Sequence, residues 1–357
     1  MNEPRAQSTA AAAFVSPATG LAALRPTSIL HLLPWVLALA FYYFMPPGFH
    51  TLGANILIMI LFTLSLDLAL GYAGIITLGH AAFFGVGAYA AGIMIGRLTG
   101  DALAGLVLAT LLAGLLGVIT GMLILHTQGV AMFMLTLAIA SIFYEVANQW
   151  RSVTGGDDGL TVPRPFPLLS YFGFEGIRFD FAGRTSFLYV LAILFIWFVI
   201  AWRVVKSPFG RSLDGIRQNP RRMRAIGTPV WWRLVAMYGL SAAMAGTAGA
   251  LQAQTTRLVG LGTLNLELSG IVAVMLVLGG ERRLYGAFVG AAFFMIVQEW
   301  AAAKNPVYWM FVIGGLLMAV VLFLEGGLMG LLDKIWGLFG KSKSAPAEAA
   351  KKSGEVG

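Results

Sequence analysis

Long apolar stretches with almost no charge in them constrain this chain more than any motif it carries. Charged residues make up 11% of the sequence and hydrophobic residues 58%. A surface that faces water needs about 25% charged residues. This chain cannot coat itself against water, so over most of its length its solvent is lipid. Hydrocarbon satisfies no backbone N–H or C=O, which leaves helices and closed barrels as the spanning structures. The apolar runs here are far longer than the alternating segments of about ten residues that barrels show. The predicted fold class is therefore all-α, a polytopic membrane helical bundle.

A span needs about 20 apolar residues. On that measure about ten transmembrane helices are predicted, over 29–45, 52–70, 74–95, 102–125, 129–149, 185–203, 233–253, 268–280, 286–300 and 307–324. The eighth and ninth are short for a bilayer, as tilted, re-entrant or neighbour-covered segments would be. Ala38-Leu39-Ala40 imitates a signal cleavage site, but the apolar run continues through the aromatic cluster Phe41–Phe44. An uncleaved first helix is expected.

The formal charge of +8 is informative through its location. The segment 203–233 holds Arg203, Lys206, Arg211, Arg217, Arg221, Arg222, Arg224 and Arg233 against Asp214 alone, whereas 150–184 is balanced. The positive-inside bias puts the basic loop in the cytoplasm and the balanced loop outside. Counting spans from there puts Arg282-Arg283, the Lys-bearing tail and both termini in the cytoplasm. Residues 1–28 and the tail from about 341 are expected to be disordered, and Leu328–Phe339 to lie amphipathically on the inner surface.

Several chemistries find no support. Cysteine is absent, which removes thiolate nucleophiles and thiolate metal sites. Gly340-Lys341-Ser342 imitates the end of a phosphate-binding loop, but Ile335 stands where the motif needs its first glycine. The turn Thr154-Gly155-Gly156-Asp157-Asp158-Gly159-Leu160, read as a flexible outer turn, lacks the spacing of a calcium loop. No catalytic residue, metal ligand or cofactor is assigned, and no nucleic acid is expected as a partner. Of the ionisable residues within spans, Asp67, His80, Glu145 and Glu299, each is a functional candidate by default. None forms a midplane relay.

Two segments stand out. The first is the glycine-dense run 71–89, with Gly74, Gly79, His80, Gly85 and Gly87. Small residues let spans approach closely, so this is a packing element or one wall of a translocation path. A lone His80 reads first as a hydrogen-bonded structural residue. The second is the basic loop, 207–227. Asn219-Pro220 reads as an N-cap with proline at the first helical position, and Gly227 fits the residue just past a helix end. A helix over about 220–226 is predicted. One so short is not stable alone in water and needs a surface to pack on. Anionic lipid or a cytoplasmic protein could supply it.

The 70–89 run, the Thr154–Leu160 turn, the 207–227 loop and the stretch Leu278-Gly279-Gly280 to Tyr285-Gly286-Ala287-Phe288-Val289-Gly290-Ala291 together resemble the LivM-type permeases of branched-chain amino acid ABC transporters, over roughly 50–330. The resemblance implies a transmembrane permease domain over 29–326, with a cytoplasmic coupling loop at 204–232, a periplasmic loop at 150–184 and a cytoplasmic tail at 327–357. It implies residence in a bacterial inner membrane, and as partners two cytoplasmic ATP-binding subunits, a second homologous permease, a periplasmic substrate-binding protein and membrane lipid. The loop carrying Arg217, Asn219, Arg222, Arg224, Ala225 and Gly227 would be the ATPase-coupling element, although it lacks the Glu-Ala-Ala triplet usual in importers. Relatives of that family import urea, amides or aromatic acids. From the residues themselves, a stand-alone secondary transporter stays open as a rival.

Overall fold

The computed structural model describes residues 27–44, 46–98, 100–127, 129–163, 183–304, 310–311, 313–315, 318 and 327–330. The expectations for 1–26, for the centre of the 150–184 loop, for most of the tenth span and for the tail lie outside the described residues.

The described residues are almost entirely helical. Helix α1, Thr27–Phe44, carries Pro34 inside it. Helix α2, His50–Leu66, runs on through a π-helical turn, Asp67–Tyr72. Helix α3, His80–Ile93, likewise ends in a π-helical turn, Met94–Leu98. Then follow α4, Ala102–Ile124, α5, Val130–Gln149, and the single turn α6, Arg151–Thr154. Helix α7, Arg184–Lys206, leads into the short pair α8, Pro208–Gln218, and α9, Pro220–Ala225. The chain continues through α10, Val230–Thr256, α11, Leu266–Gly279, and α12, Leu284–Lys304.

Seven helices among the described residues are long and apolar enough to cross a membrane, beginning at His50, His80, Ala102, Val130, Arg184, Val230 and Leu284. Two shorter apolar helices, Pro34–Phe44 and Leu266–Gly279, match the first and eighth predicted spans. Seven of the ten expected spans are thus present as full-length helices among the described residues. The ninth, expected short, is a 21-residue helix. The third starts six residues later than expected. Gly74 takes a left-handed φ of +73° and stops the preceding turn. Its successor helix begins only where Ser269 of α11 accepts from the Ala81 amide at 2.8 Å. That N-terminal partner lies 188 residues away in sequence, so local capping rules could not place it.

Helix α10 is the hub. It packs on α4, α3 and α2, and 78% of its apolar window is buried, as in α2. Glycine makes this density possible. A Cβ on Gly87 would strike the backbone of Gly246, one on Gly249 the carbonyl of Phe84, and one on Gly117 the side chain of Ala242. These are close approaches of the kind that hold spans together when lipid offers no hydrophobic drive. Two other glycines, Gly286 and Gly290, seat α12 against Gly279 of α11.

The loops gather into two groups. At one end, Leu160–Thr161 (β1) pairs antiparallel with Leu258–Val259 (β2), in the register Leu160↔Val259. Arg97 donates to the Ser152 carbonyl there at 2.7 Å. The Thr154–Leu160 segment, expected to be a flexible turn, is an ordered corner. Gly155 has φ +82°, and the Thr154 hydroxyl donates to the Ala147 carbonyl at 2.6 Å. At the other end the basic loop meets the end of α2 and the α11–α12 corner.

Candidate coupling site at the basic-loop end

The basic loop folds as two helices with the same start signal. Ser207 caps α8, its side chain accepting from the Gly210 amide at 3.3 Å, and Pro208 fills the first helical position. Asn219 caps α9, its Oδ1 accepting from the Arg222 amide at 3.0 Å, and Pro220 follows. Gly227, at φ +83°, sits past the end of α9 and lets Thr228 N–H return to the Met223 carbonyl at 3.0 Å. The predicted helix over 220–226 is therefore present, one residue shorter. Helix α8 was missed, although Ser207-Pro208 carries the same cap-then-proline signal as Asn219-Pro220.

The two helices differ in what they touch. Helix α8 buries Leu213 and Ile216 and rests on the π-helical turn of α2. Helix α9 buries nothing: none of its residues is buried. Met223 lies against Gly215, while Ile226 just beyond it is 70% exposed. Arg221, Arg222 and Arg224 are also exposed. A six-residue helix with no buried residue draws little stability from the bundle beneath it.

The floor under α8 is a polar network. Arg217 donates through Nη1 to the Gly71 carbonyl and pairs through Nη2 with Glu281 at 3.5 Å. Arg282 pairs with Asp214 at 2.7 Å. The Arg282 amide donates to Asp67 Oδ1 at 2.9 Å, and its carbonyl accepts from the Tyr72 hydroxyl at 3.0 Å. Arg282 is a non-glycine residue at φ +64°, a conformation held here by both main-chain bonds. Asp67 is fully buried. The network therefore ties three elements together: the loop helix α8, the last turn of α2 and the α11–α12 corner. Sequence reading had singled out Asp67, Arg217 and Arg282 separately. Nothing in their spacing says that they meet.

Beside this floor lies a cleft of about 240 Å³, bordered by Gly74, Thr127, Arg217, Pro220, Arg224 and Trp231. It opens between α9, the α4–α5 connection and the turn after α2.

The five residues singled out in the glycine-dense run lie in packing contacts. Gly79 abuts the Thr136 backbone, Gly85 the Leu264 side chain and Gly87 the Gly246 backbone, while Gly74 lies 3.0 Å, at an added Cβ, from Arg217 Cγ. His80 is buried, stacked on Phe62 with centroids 5.6 Å apart, and bonded to the Ser65 hydroxyl at 2.9 Å. The hydrogen bond expected of an isolated histidine is present. The neighbouring Ser65 carbonyl receives the Ser241 hydroxyl at 2.6 Å, so the same turn of α2 anchors α10.

The arrangement is that of a multi-pass helical membrane protein with a structured, basic two-helix loop at one end. Residues 51–321 match the family model described as branched-chain amino acid transport system / permease component. The chain belongs to that family. It is 27% identical over 317 residues to the high-affinity branched-chain amino acid transport system permease protein LivM of Salmonella typhimurium, covering 82% of this chain and 73% of that protein. Its identity to LivM of Escherichia coli is 27% over 312 residues, with the same coverage. A more distant likeness, 25% over 222 residues, joins it to the galactose/methyl galactoside import permease protein MglC of Escherichia coli, over 59% of this chain and 62% of that one. No solved structure matches the chain. Its relatives are permease components of transport systems rather than enzymes.

Proposed function

We propose that this chain is the membrane-spanning permease subunit of an ATP-driven importer for branched-chain or other hydrophobic amino acids. In this reading two cytoplasmic ATP-binding subunits drive the cycle, one of them holding α9 in a groove, a second homologous permease completes the translocation path, and a substrate-binding protein delivers cargo on the opposite side. The basic-loop end then faces the cytoplasm of a bacterial inner membrane, with both termini on that side.

The observation that carries the reading is α9. It is capped at both ends by its own sequence, yet it offers Arg221, Arg222, Arg224 and Ile226 outward with no residue buried. A helix this short persists when a second surface covers it. Arginine-rich, partly apolar surfaces suit a protein groove bearing carboxylates, since arginine forks pair bidentately. Motion of an ATPase pair would pass from α9 through α8 into the Asp67–Arg282 network, and so into α2, α11 and α12.

The test is a mild-detergent pull-down of the tagged chain from its native host, with mass spectrometry of what accompanies it. Recovery of ATP-binding subunits and a second permease, lost on Arg222→Glu/Arg224→Glu while the chain still inserts, is the expected result. Recovery of the chain alone, in a detergent that keeps a known importer complex whole, overturns the reading in favour of a solitary secondary transporter. Uptake of leucine, set against urea, amides and aromatic acids, then fixes the cargo.

A further inference from the structure

Among the described spans, one helix is covered least. Only 17% of the apolar window of α5 is buried, against 78% for α2 and α10. Its uncovered surface is not uniformly apolar. Ser141, Glu145 and Gln149 are exposed and recur at the four-residue spacing that aligns side chains on one helix face. Gln149 donates to Glu145 Oε1 at 2.7 Å, and the Ser141 hydroxyl donates to the Leu137 carbonyl at 3.0 Å, leaving its oxygen as an acceptor. Glu145 stands four residues before the end of α5, roughly 6 Å into the helix at about 1.5 Å per residue. A carboxylate with a short stem resists contact with hydrocarbon, and ionisable groups in spans turn toward water or protein.

The stripe borders a cavity of about 410 Å³. Its walls include Leu137, Ser141, Tyr144 and Glu145 of α5, and Asn265 and Leu266 where the paired-loop end enters α11. That volume falls within the range of about 300–1,000 Å³ typical of small-molecule sites. The composition is two-sided. Leu137 and Leu266 offer apolar wall to a branched aliphatic side chain. Glu145 offers a carboxylate, while Tyr144 and Asn265 offer donors. A neutral apolar molecule has no use for that carboxylate, and a bare carboxylic acid would be repelled by it.

We propose that this cavity is a subsite of the translocation path, in which Glu145 receives the ammonium group of a zwitterionic amino acid whose side chain lies on the apolar wall. The inference rests on the importer reading above and adds to it the residue that contacts cargo inside the membrane domain. Selection would then operate twice, once at delivery and once in transit.

Two experiments test it, both in the native host with the chromosomal copy deleted and variants supplied in its place, so that the chain keeps its own partners. In the first, radiolabelled leucine uptake is compared for Glu145→Gln, Glu145→Asp and the unaltered chain at matched membrane levels. Loss of one charge-assisted contact is expected to lower uptake about tenfold or more in Glu145→Gln, with Glu145→Asp retaining the larger share. Uptake by Glu145→Gln within about twofold of the unaltered chain, on the same scale of contact strength, overturns the inference alone. No leucine, isoleucine or valine uptake by the unaltered chain would instead fail the importer reading, and this subsite with it.

The second experiment uses the absence of cysteine from the sequence, which makes an introduced thiol the only one in this chain, so that labelling is read on the tagged chain after its purification from the host membrane. Glu145→Cys and Ser141→Cys are expected to react with a membrane-impermeant methanethiosulfonate, and leucine is expected to slow that reaction. Leu115→Cys, on the exposed apolar face of α4, serves as the unreactive control. Equal inertness at all three positions would show that the stripe meets no water, and would sink the proposal whatever the uptake values.

Discussion

The main-chain amide of Arg282 donates to the buried carboxylate of Asp67 at 2.9 Å, across 215 residues of sequence. The bond closes a corner. Arg282 occupies a left-handed conformation that only glycine adopts freely. One turn of α2 receives both of its main-chain polar groups, through Asp67 and the Tyr72 hydroxyl. Its guanidinium reaches outward to Asp214 on α8 at 2.7 Å. A single residue thereby sets the α11–α12 corner against both the bundle and the basic loop.

Removing the acceptor should be costly where preserving it is not. Asp67→Leu strands a buried N–H, for which the expected loss is about 1–3 kcal/mol. Asp67→Asn keeps an acceptor oxygen at the same place and should lie closer to the unaltered chain. Thermal loss of the monodisperse peak in size-exclusion chromatography ranks the three. Equal stability of both variants and the unaltered chain would show that the corner does not depend on this bond.

The ion pairs above that corner should behave differently. Asp214 and Arg282 keep 35% and 46% of their side-chain surface exposed, and Arg217 and Glu281 keep 31% and 39%. Exposed pairs contribute about 0–1 kcal/mol. Asp214→Ala and Glu281→Ala are expected to leave stability nearly unchanged while lowering transport, because they loosen the contact between loop and bundle. Unfolding curves and uptake rates measured on the same preparations separate the two effects. A parallel fall in both would make the pairs structural only.

Asn219 offers a test of α9 itself. Loss of an N-cap costs about 1 kcal/mol, a large share for a helix of six residues. Asn219→Ala should weaken retention of ATP-binding subunits in the pull-down, and Asn219→Asp, also a good cap, should restore it. Failure of Asn219→Asp to recover what Asn219→Ala loses would assign the asparagine a role other than capping.

Among glycines, position rather than identity should decide tolerance. A methyl on Gly87 meets the Gly246 backbone, whereas one on Gly270 in α11 meets nothing within 4 Å. Gly87→Ala is expected to reduce the yield of folded protein sharply. Gly270→Ala should be neutral, or stabilising by up to about 1 kcal/mol. Folded yield in mild detergent compares them directly.

The sequence discloses this fold unevenly. Span positions follow from hydropathy, because lipid imposes one rule on every residue that faces it. Helix α9 follows from Asn219, Pro220 and Gly227, because capping is local chemistry. The start of α3 does not follow, since Ser269 on another helix caps it. The meeting of Asp67, Asp214, Arg217 and Arg282 is invisible for the same reason: it depends on which ends of which helices fold together. The glycine-dense run announced close packing, and Gly87 against Gly246 is an instance. Ser141 and Asn265, which share a cavity with Glu145, carried no sequence signal of their own beyond polarity in an apolar setting.

Helix α11 holds 14 residues, or about 21 Å at about 1.5 Å per residue, against a hydrocarbon layer about 30 Å thick. Protein extends the helix on its N-terminal side. Ahead of Leu266 the chain carries a 3-10 turn, Leu261–Leu264, and the strand Leu258–Val259. Their amides are satisfied internally, by Thr263 N–H to the Gly260 carbonyl at 3.1 Å and Asn265 N–H to the Gly262 carbonyl at 3.3 Å. This irregular segment is seated on Gly85 of α3 through Leu264. Entry to this short helix is thus fixed by turn bonds and by the seating of one leucine rather than by a continuous helix.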